Sequence, residues 1–225
     1  MNTAVSSPRV EEASPIAPPK PAARGWIHAI TAPIALVSGI VLIILTPPGA
    51  KWATAVFAAS TVALFGTSAV YHRGTWGLRG EAILRRLDHA NIFLLIAGTY
   101  TPLAWMLLPR PTAILLLAIA WGGALAGILM HVFWLSAPRW LYTAVYIALG
   151  WVAVWFLPDF WRDGGPAIVW LVAAGGIAYT LGAVAYALKR PNPWPRYFGF
   201  HEIFHVGTAI GFACHAVAVY LTIYA

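Results

Sequence analysis

The sequence predicts an all-α integral membrane protein, a seven-transmembrane helix bundle with its N-terminus in the cytoplasm and its C-terminus outside. Three observations carry that expectation. Of the 225 residues, 60% are hydrophobic and 9% charged, whereas soluble domains run at about 25% charged. Seven apolar runs follow one another at about 27–46, 52–71, 89–108, 112–134, 140–157, 166–188 and 202–224, each near the roughly 20 residues that a helix needs to cross a bilayer. Eleven of the fourteen Lys and Arg fall on the N-terminal side of that alternation, the bias that marks cytoplasmic loops. The net charge of +7 therefore reads as topology, and no nucleic-acid partner is expected.

Residues 1–24 are rich in Pro, Ala and Ser and carry no hydrophobic period, which predicts a disordered cytoplasmic tail before one membrane domain over 25–225. The first span ends at Pro47-Pro48-Gly49, since proline cannot continue a helix. The second closes on Arg73, and Arg79, Arg85 and Arg86 precede the third. Pro109 and Pro111 divide the third from the fourth, Pro138 stands before the fifth, and Pro191, Pro193 and Pro195 stand before the seventh. Lys51, Arg110 and Arg162 are the few cations of the outer connections. Trp26, Trp52, Trp105, Trp134, Trp140, Trp161 and Trp194 lie near span ends, where an amphipathic ring suits the headgroup layer. The one cysteine, Cys214, sits inside an apolar run; it allows no intramolecular disulfide and reads as a buried, inert thiol.

Ionisable groups inside spans are costly, so each is a functional candidate. Ser68 and His72 are four apart at the end of the second span and share a helix face. Asp88 is expected to open the third span at the same cytoplasmic level. His201 and His205, again four apart, open the seventh. Taken singly, each suits a bland role, the histidines as interfacial hydrogen-bonding groups and Asp88 as a helix cap. Taken together, three imidazoles and a carboxylate from three helices reach one depth. A catalytic zinc commonly takes three protein ligands and keeps a fourth position open, and His72, His201 and His205 supply three. Asp88 is then placed to bond a water or take its proton, and Ser68 to orient that water or a carbonyl.

His201-Glu202-Ile203-Phe204-His205 also fits the H-E-x-x-H zinc-protease pattern. The third ligand such enzymes need is missing, because His215 lies ten residues on, about 15 Å along a helix. Glu202 is therefore expected to be structural or electrostatic. His28, His89 and His131 read as interfacial, and His215 as bonding a neighbouring helix or lining a cavity. Gly207 and Gly211, like Gly123 and Gly127, read as close-packing positions.

Ser68-Ala69-Val70-Tyr71-His72, Arg86-Leu87-Asp88-His89-Ala90-Asn91-Ile92-Phe93 with Ala97-Gly98-Thr99-Tyr100-Thr101-Pro102, and His201-Glu202-Ile203-Phe204-His205 with Cys214-His215 together resemble the hemolysin III proteins and their relatives, the progestin and adipoQ receptors, across about residues 25–225. The resemblance implies seven spans with the N-terminus inside and Zn2+ held by His72, His201 and His205, with Asp88 and Ser68 at the zinc-bound water. It implies a multi-pass protein of the cell's inner membrane with a membrane lipid as substrate or ligand, and kinship with zinc-dependent, ceramidase-like hydrolases of lipid amides or esters. Two alternatives stand beside hydrolysis: a pore-forming cytolysin, and a lipid receptor or membrane-state sensor with structural zinc. A retinal-binding pump is excluded, since Lys20, Lys51 and Lys189 all fall outside the spans.

Overall fold

The structure, a computed structural model, describes residues 21–134 and 137–225. Its α-helices are α1 (Trp26–Leu45), α2 (Lys51–Arg73), α3 (Leu78–Leu107), α4 (Arg110–Phe133), α5 (Arg139–Gly150), α6 (Leu157–Leu188) and α7 (Phe200–Leu221), with 3-10 turns at Pro48–Ala50 and Trp151–Phe156. No strand occurs among the described residues. Six stretches are long and apolar enough to cross a membrane, because Arg139–Leu188 counts as one run of 50 residues. The expected fifth and sixth spans both fall within that run. It is not straight: Gly165 adopts φ 78 and ψ 174, a left-handed value open to glycine, and Pro166 follows. Arg139 Nη1 donates to the Tyr186 carbonyl at 3.4 Å and Trp151 Nε1 to the Thr180 hydroxyl at 2.9 Å, so α5 and the latter part of α6 run antiparallel.

The outer surface is apolar, with Val37, Ile44, Trp155 and Leu181 among many exposed large side chains. Exposure on that scale is intolerable in water and natural in hydrocarbon. Inside, α3 is the axial helix and touches α2, α4, α5, α6 and α7. Small residues let the helices approach: a Cβ on Gly39 would stand 2.7 Å from the Ala58 Cβ, and one on Gly207 2.7 Å from the Ala178 carbonyl oxygen. Gly211, Gly123 and Gly127 are equally tight, against Tyr179, Leu149 and Phe93, as their sequence spacing led one to expect. Where α5 unwinds, Tyr100 restores the backbone bonding. Its hydroxyl donates to the Gly150 carbonyl at 2.6 Å and accepts the Ala153 N–H at 2.9 Å, as buried main-chain groups require.

Three expectations need correction. The third helix begins at Leu78 rather than near residue 89. Its first eleven residues contain Arg79, Glu81, Arg85 and Arg86, which hide the segment from a hydropathy reading while being good helix formers. Asp88 is consequently ten residues inside α3 and caps nothing. Cys214 is half-buried rather than buried. Of the tail expected over 1–24, residues 1–20 lie outside the described residues. Pro21–Arg24 precede α1 in a turn whose Ala22 and Ala23 N–H groups donate to the carbonyls of Arg196 and Tyr197, each at 3.1 Å.

Candidate metal centre

The last turn of α2, the second turn of α7, the start of α1 and the lower part of α3 converge at one end of the bundle. α2 delivers Ser68 and His72, both buried, from one face. Asn91, one turn beyond Asp88, donates to the Ala63 carbonyl at 3.0 Å and the Thr67 hydroxyl at 3.1 Å. That clamp sets the level of α3 against α2, and Asp88 Oδ2 comes to 3.7 Å from His72 Nε2. At the head of α7, Asn192 accepts the Phe200 N–H at 3.1 Å and Glu202 Oε2 accepts the Gly199 N–H at 2.8 Å, half of a capping box. His201 and His205 then point together toward α2.

The ligand nitrogens of His72, His201 and His205 all lie within 4.8 Å of one another. Nε2 of His201 is 3.2 Å from Nε2 of His72, a spacing that also suits an N–H···N hydrogen bond. His205 Nδ1 is buried without a hydrogen-bond partner among the described residues. Converging imidazoles in an apolar setting are a donor set that could hold a metal ion. The three histidines chosen from sequence are thus brought together, with Asp88 beside them.

Glu202 is fully buried, with Oε1 engaged by Arg24 and Oε2 by the Gly199 N–H. Both carboxylate oxygens carry structural contacts, in keeping with the structural or electrostatic role expected of Glu202. Gly25 makes the Arg24 contact possible: it has φ 79, and a Cβ there would lie 2.7 Å from the His72 Cβ. A glycine suits a place where the chain turns left-handed this close to the His72 side chain.

Of the three histidines read as interfacial, two are enclosed by protein, whereas His89 is half-buried and keeps a hydrogen-bonding role. His28 is 2% exposed and stacks on His205, with ring centroids 3.8 Å apart. His131 is buried and stacks on His89 at 4.8 Å. His89 Nδ1 donates to the Arg85 carbonyl at 2.7 Å. Hydropathy shows how near a span end a residue lies but not which way its helix faces. His215 meets its expectation, bonding the Val172 carbonyl of α6 at 3.1 Å and lining a cavity.

That cavity, about 120 Å³, has His28, Ser68 and Asp88 at the histidine end. Along α3 it follows Ile92, Leu95, Ile96, Thr99 and Leu103, which takes it about 22 Å from Asp88 at 1.5 Å per residue. Its walls are mostly apolar, with Thr99, Thr180, Thr208 and His215 among them, and its charged group, Asp88, stands at one end.

Comparison with known proteins places the sequence among relatives. The sequence model of the family described as Haemolysin-III related matches residues 17–216. A "Hemolysin-3 homolog" of Bacillus subtilis (strain 168) is 30% identical over 167 residues, 72% of this chain and 78% of that protein. "Hemolysin-3" of Bacillus cereus is 33% identical over 138 residues, 60% of each chain. A "Heptahelical transmembrane protein ADIPOR2" of Oryza sativa subsp. japonica is 30% identical over 186 residues, 75% of this chain and 81% of its own.

Proposed function

The chain belongs to the Haemolysin-III-related family, and from that premise we propose that it is a zinc-dependent hydrolase of a lipid amide or ester at the cytoplasmic face of the cell's inner membrane. The observation that carries the reading is the triad itself, three imidazole nitrogens within 4.8 Å beside a carboxylate at the polar end of an apolar cavity. The donor set fits zinc. Two nitrogens bonded to one tetrahedral zinc at 2.0 to 2.1 Å stand about 3.3 Å apart, and His72 and His201 offer 3.2 Å. Zinc held by the three histidines supplies Lewis acidity toward a carbonyl and makes water a nucleophile at neutral pH.

The chain's own residues do the rest. The cavity receives an acyl chain and brings its carbonyl to the end lined by Ser68 and Asp88. Ser68 donates to that carbonyl and orients it. Asp88 takes the proton of the attacking water and returns it to the departing amine or alkoxide as the carbon–nitrogen or carbon–oxygen bond breaks. The apolar walls keep bulk water from the reacting carbonyl.

The topology belongs to the same proposal: seven crossings, N-terminus inside. The antiparallel course of α5 and α6 supports it, since a straight helix of 50 residues would be about 75 Å long against a core of about 30 Å. The rice relative's name is heptahelical. Arg24, Arg73, Arg79, Arg85, Arg86, Arg139, Lys189, Arg190 and Arg196 gather at the histidine end, as cytoplasmic residues do.

The test is metal content and turnover on the same preparations. Purified wild type should hold close to one zinc per chain, lost in His72→Ala and His205→Ala. Asp88→Ala should keep its zinc while turnover of long-chain amides and esters falls at least about 100-fold, the usual weight of a general base. Zinc-loaded wild type that binds lipid but turns over none would favour a receptor with structural zinc. The names of the Bacillus relatives raise lysis as a second reading, and dye release from liposomes independent of His72 would favour it.

A further inference from the structure

His28 lies outside the triad and inside the same space. Its ring lies flat on His205, with planes 12° apart, and meets Phe65 edge-on at 5.0 Å. Neither of its ring nitrogens has a hydrogen-bond partner among the described residues. A neutral imidazole carries one donor and one acceptor, and buried polar groups in folded proteins are almost always paired. Two orphaned atoms on a fully enclosed ring that lines a cavity therefore point to a ligand. Metal ligation does not answer the need. Parallel rings at stacking distance direct their in-plane lone pairs along separate planes, so an ion in the plane of His205 is out of the plane of His28.

The cavity defines what the ligand must be. Its polar lining at this end is His28, Ser68 and Asp88, and beyond them the wall is mostly apolar along α3, with Thr99, Thr180, Thr208 and His215 among the scattered polar groups. A single-chain amphiphile with one polar head meets both demands. An amide head presents a carbonyl acceptor and an N–H donor, the complement of what His28 offers.

Resting on the reading of the cavity as a lipid amide or ester site, we infer that His28 is a head-group-binding residue, hydrogen-bonding the amide or carbonyl of the amphiphile whose chain fills the cavity. Its stack on His205 holds the ring at the angle that aims its nitrogens inward. His28 thereby selects polar-headed chains over bare hydrocarbon, a task separate from holding the metal.

The test uses oleamide as probe and 1-octadecene, a comparable chain without the head, as control. Binding is measured to purified full-length wild type, His28→Phe and His28→Gln in phosphatidylcholine nanodiscs, with metal per chain determined on each sample. Phenylalanine keeps the stack and the volume but loses both nitrogens; glutamine returns a donor and an acceptor. His28→Phe should bind oleamide about tenfold more weakly, the worth of a lost hydrogen bond, with its metal unchanged. His28→Gln should recover part of that loss, and octadecene should bind all three alike. Undiminished oleamide binding by His28→Phe would overturn the inference. So would a loss of metal in step with lipid, which would assign the ring to supporting His205, or a wild type that binds oleamide no better than octadecene. A wild type that binds neither probe would remove the lipid reading as well.

Discussion

The contact between Arg24 and Glu202 yields a prediction whose sign depends on the background. Glu202 is 0% exposed and the Arg24 side chain 18%. Truncation in Arg24→Ala strands a buried carboxylate with the Gly199 N–H as its remaining partner. Removing one member of a buried pair costs about 3 to 5 kcal/mol, and the surviving charge-assisted bond holds the loss toward the lower figure. Glu202→Gln in the intact protein is milder. The amide oxygen still accepts from Gly199, and the partly exposed Arg24 reaches water, so about 1 to 2 kcal/mol is expected. Placed on Arg24→Ala, the same glutamine removes the stranded charge and should return about 2 kcal/mol. One substitution thus destabilises in one background and stabilises in the other. Unfolding free energies in mixed micelles, read as the denaturing-detergent fraction rises, complete the double-mutant cycle. The reasoning fails if Arg24→Ala lies within about 1 kcal/mol of wild type, or if Glu202→Gln moves stability the same way in both backgrounds.

Two further outcomes follow from glycine positions. Gly25→Ala forces a left-handed residue, at about 1 to 2 kcal/mol, and drives its Cβ against the His72 Cβ at 2.7 Å. Metal per chain should fall while far-ultraviolet circular dichroism keeps its helical intensity. Gly176→Leu has room, since the nearest atoms to an added Cβ are Trp151 ring carbons at 3.9 and 4.0 Å, and its side chain enters the cavity. Long acyl chains should lose at least about tenfold in binding while short ones keep theirs, with chain-length competition as the readout.

The helical class, most of the apolar stretches and the meeting of the three histidines are legible because each rests on a period. Twenty-residue apolar runs report membrane spans, and i, i+4 pairs such as Ser68 with His72 and His201 with His205 report a shared face. The alternating cations placed those faces at one end without any coordinate. What escaped was local detail that depends on neighbours. The charged start of α3 has the pattern of a loop, which puts Asp88 at a helix start, whereas it lies inside α3 one turn before the Asn91 clamp. His28 looked like a solitary span-end histidine because its partner, His205, is 177 residues away in sequence. The Arg24 contact with Glu202 and the Tyr100 bonds to Gly150 and Ala153 are equally distant pairings, and no short-range pattern announces them.

The distance along the chain between the parts of the centre sets the order in which the protein can be made. His72 and His201 are 129 residues apart, and Arg24 and Glu202 178. Chains emerge from the ribosome N-terminus first, so His28, His72 and Asp88 are laid down well before the helix that carries the other two histidines. A nascent chain halted before α7 owns a single member of the triad and has no chelate to offer. For the proposed zinc site, capture then follows the insertion and docking of the last helix, and an ion held by all three histidines would mark a finished bundle.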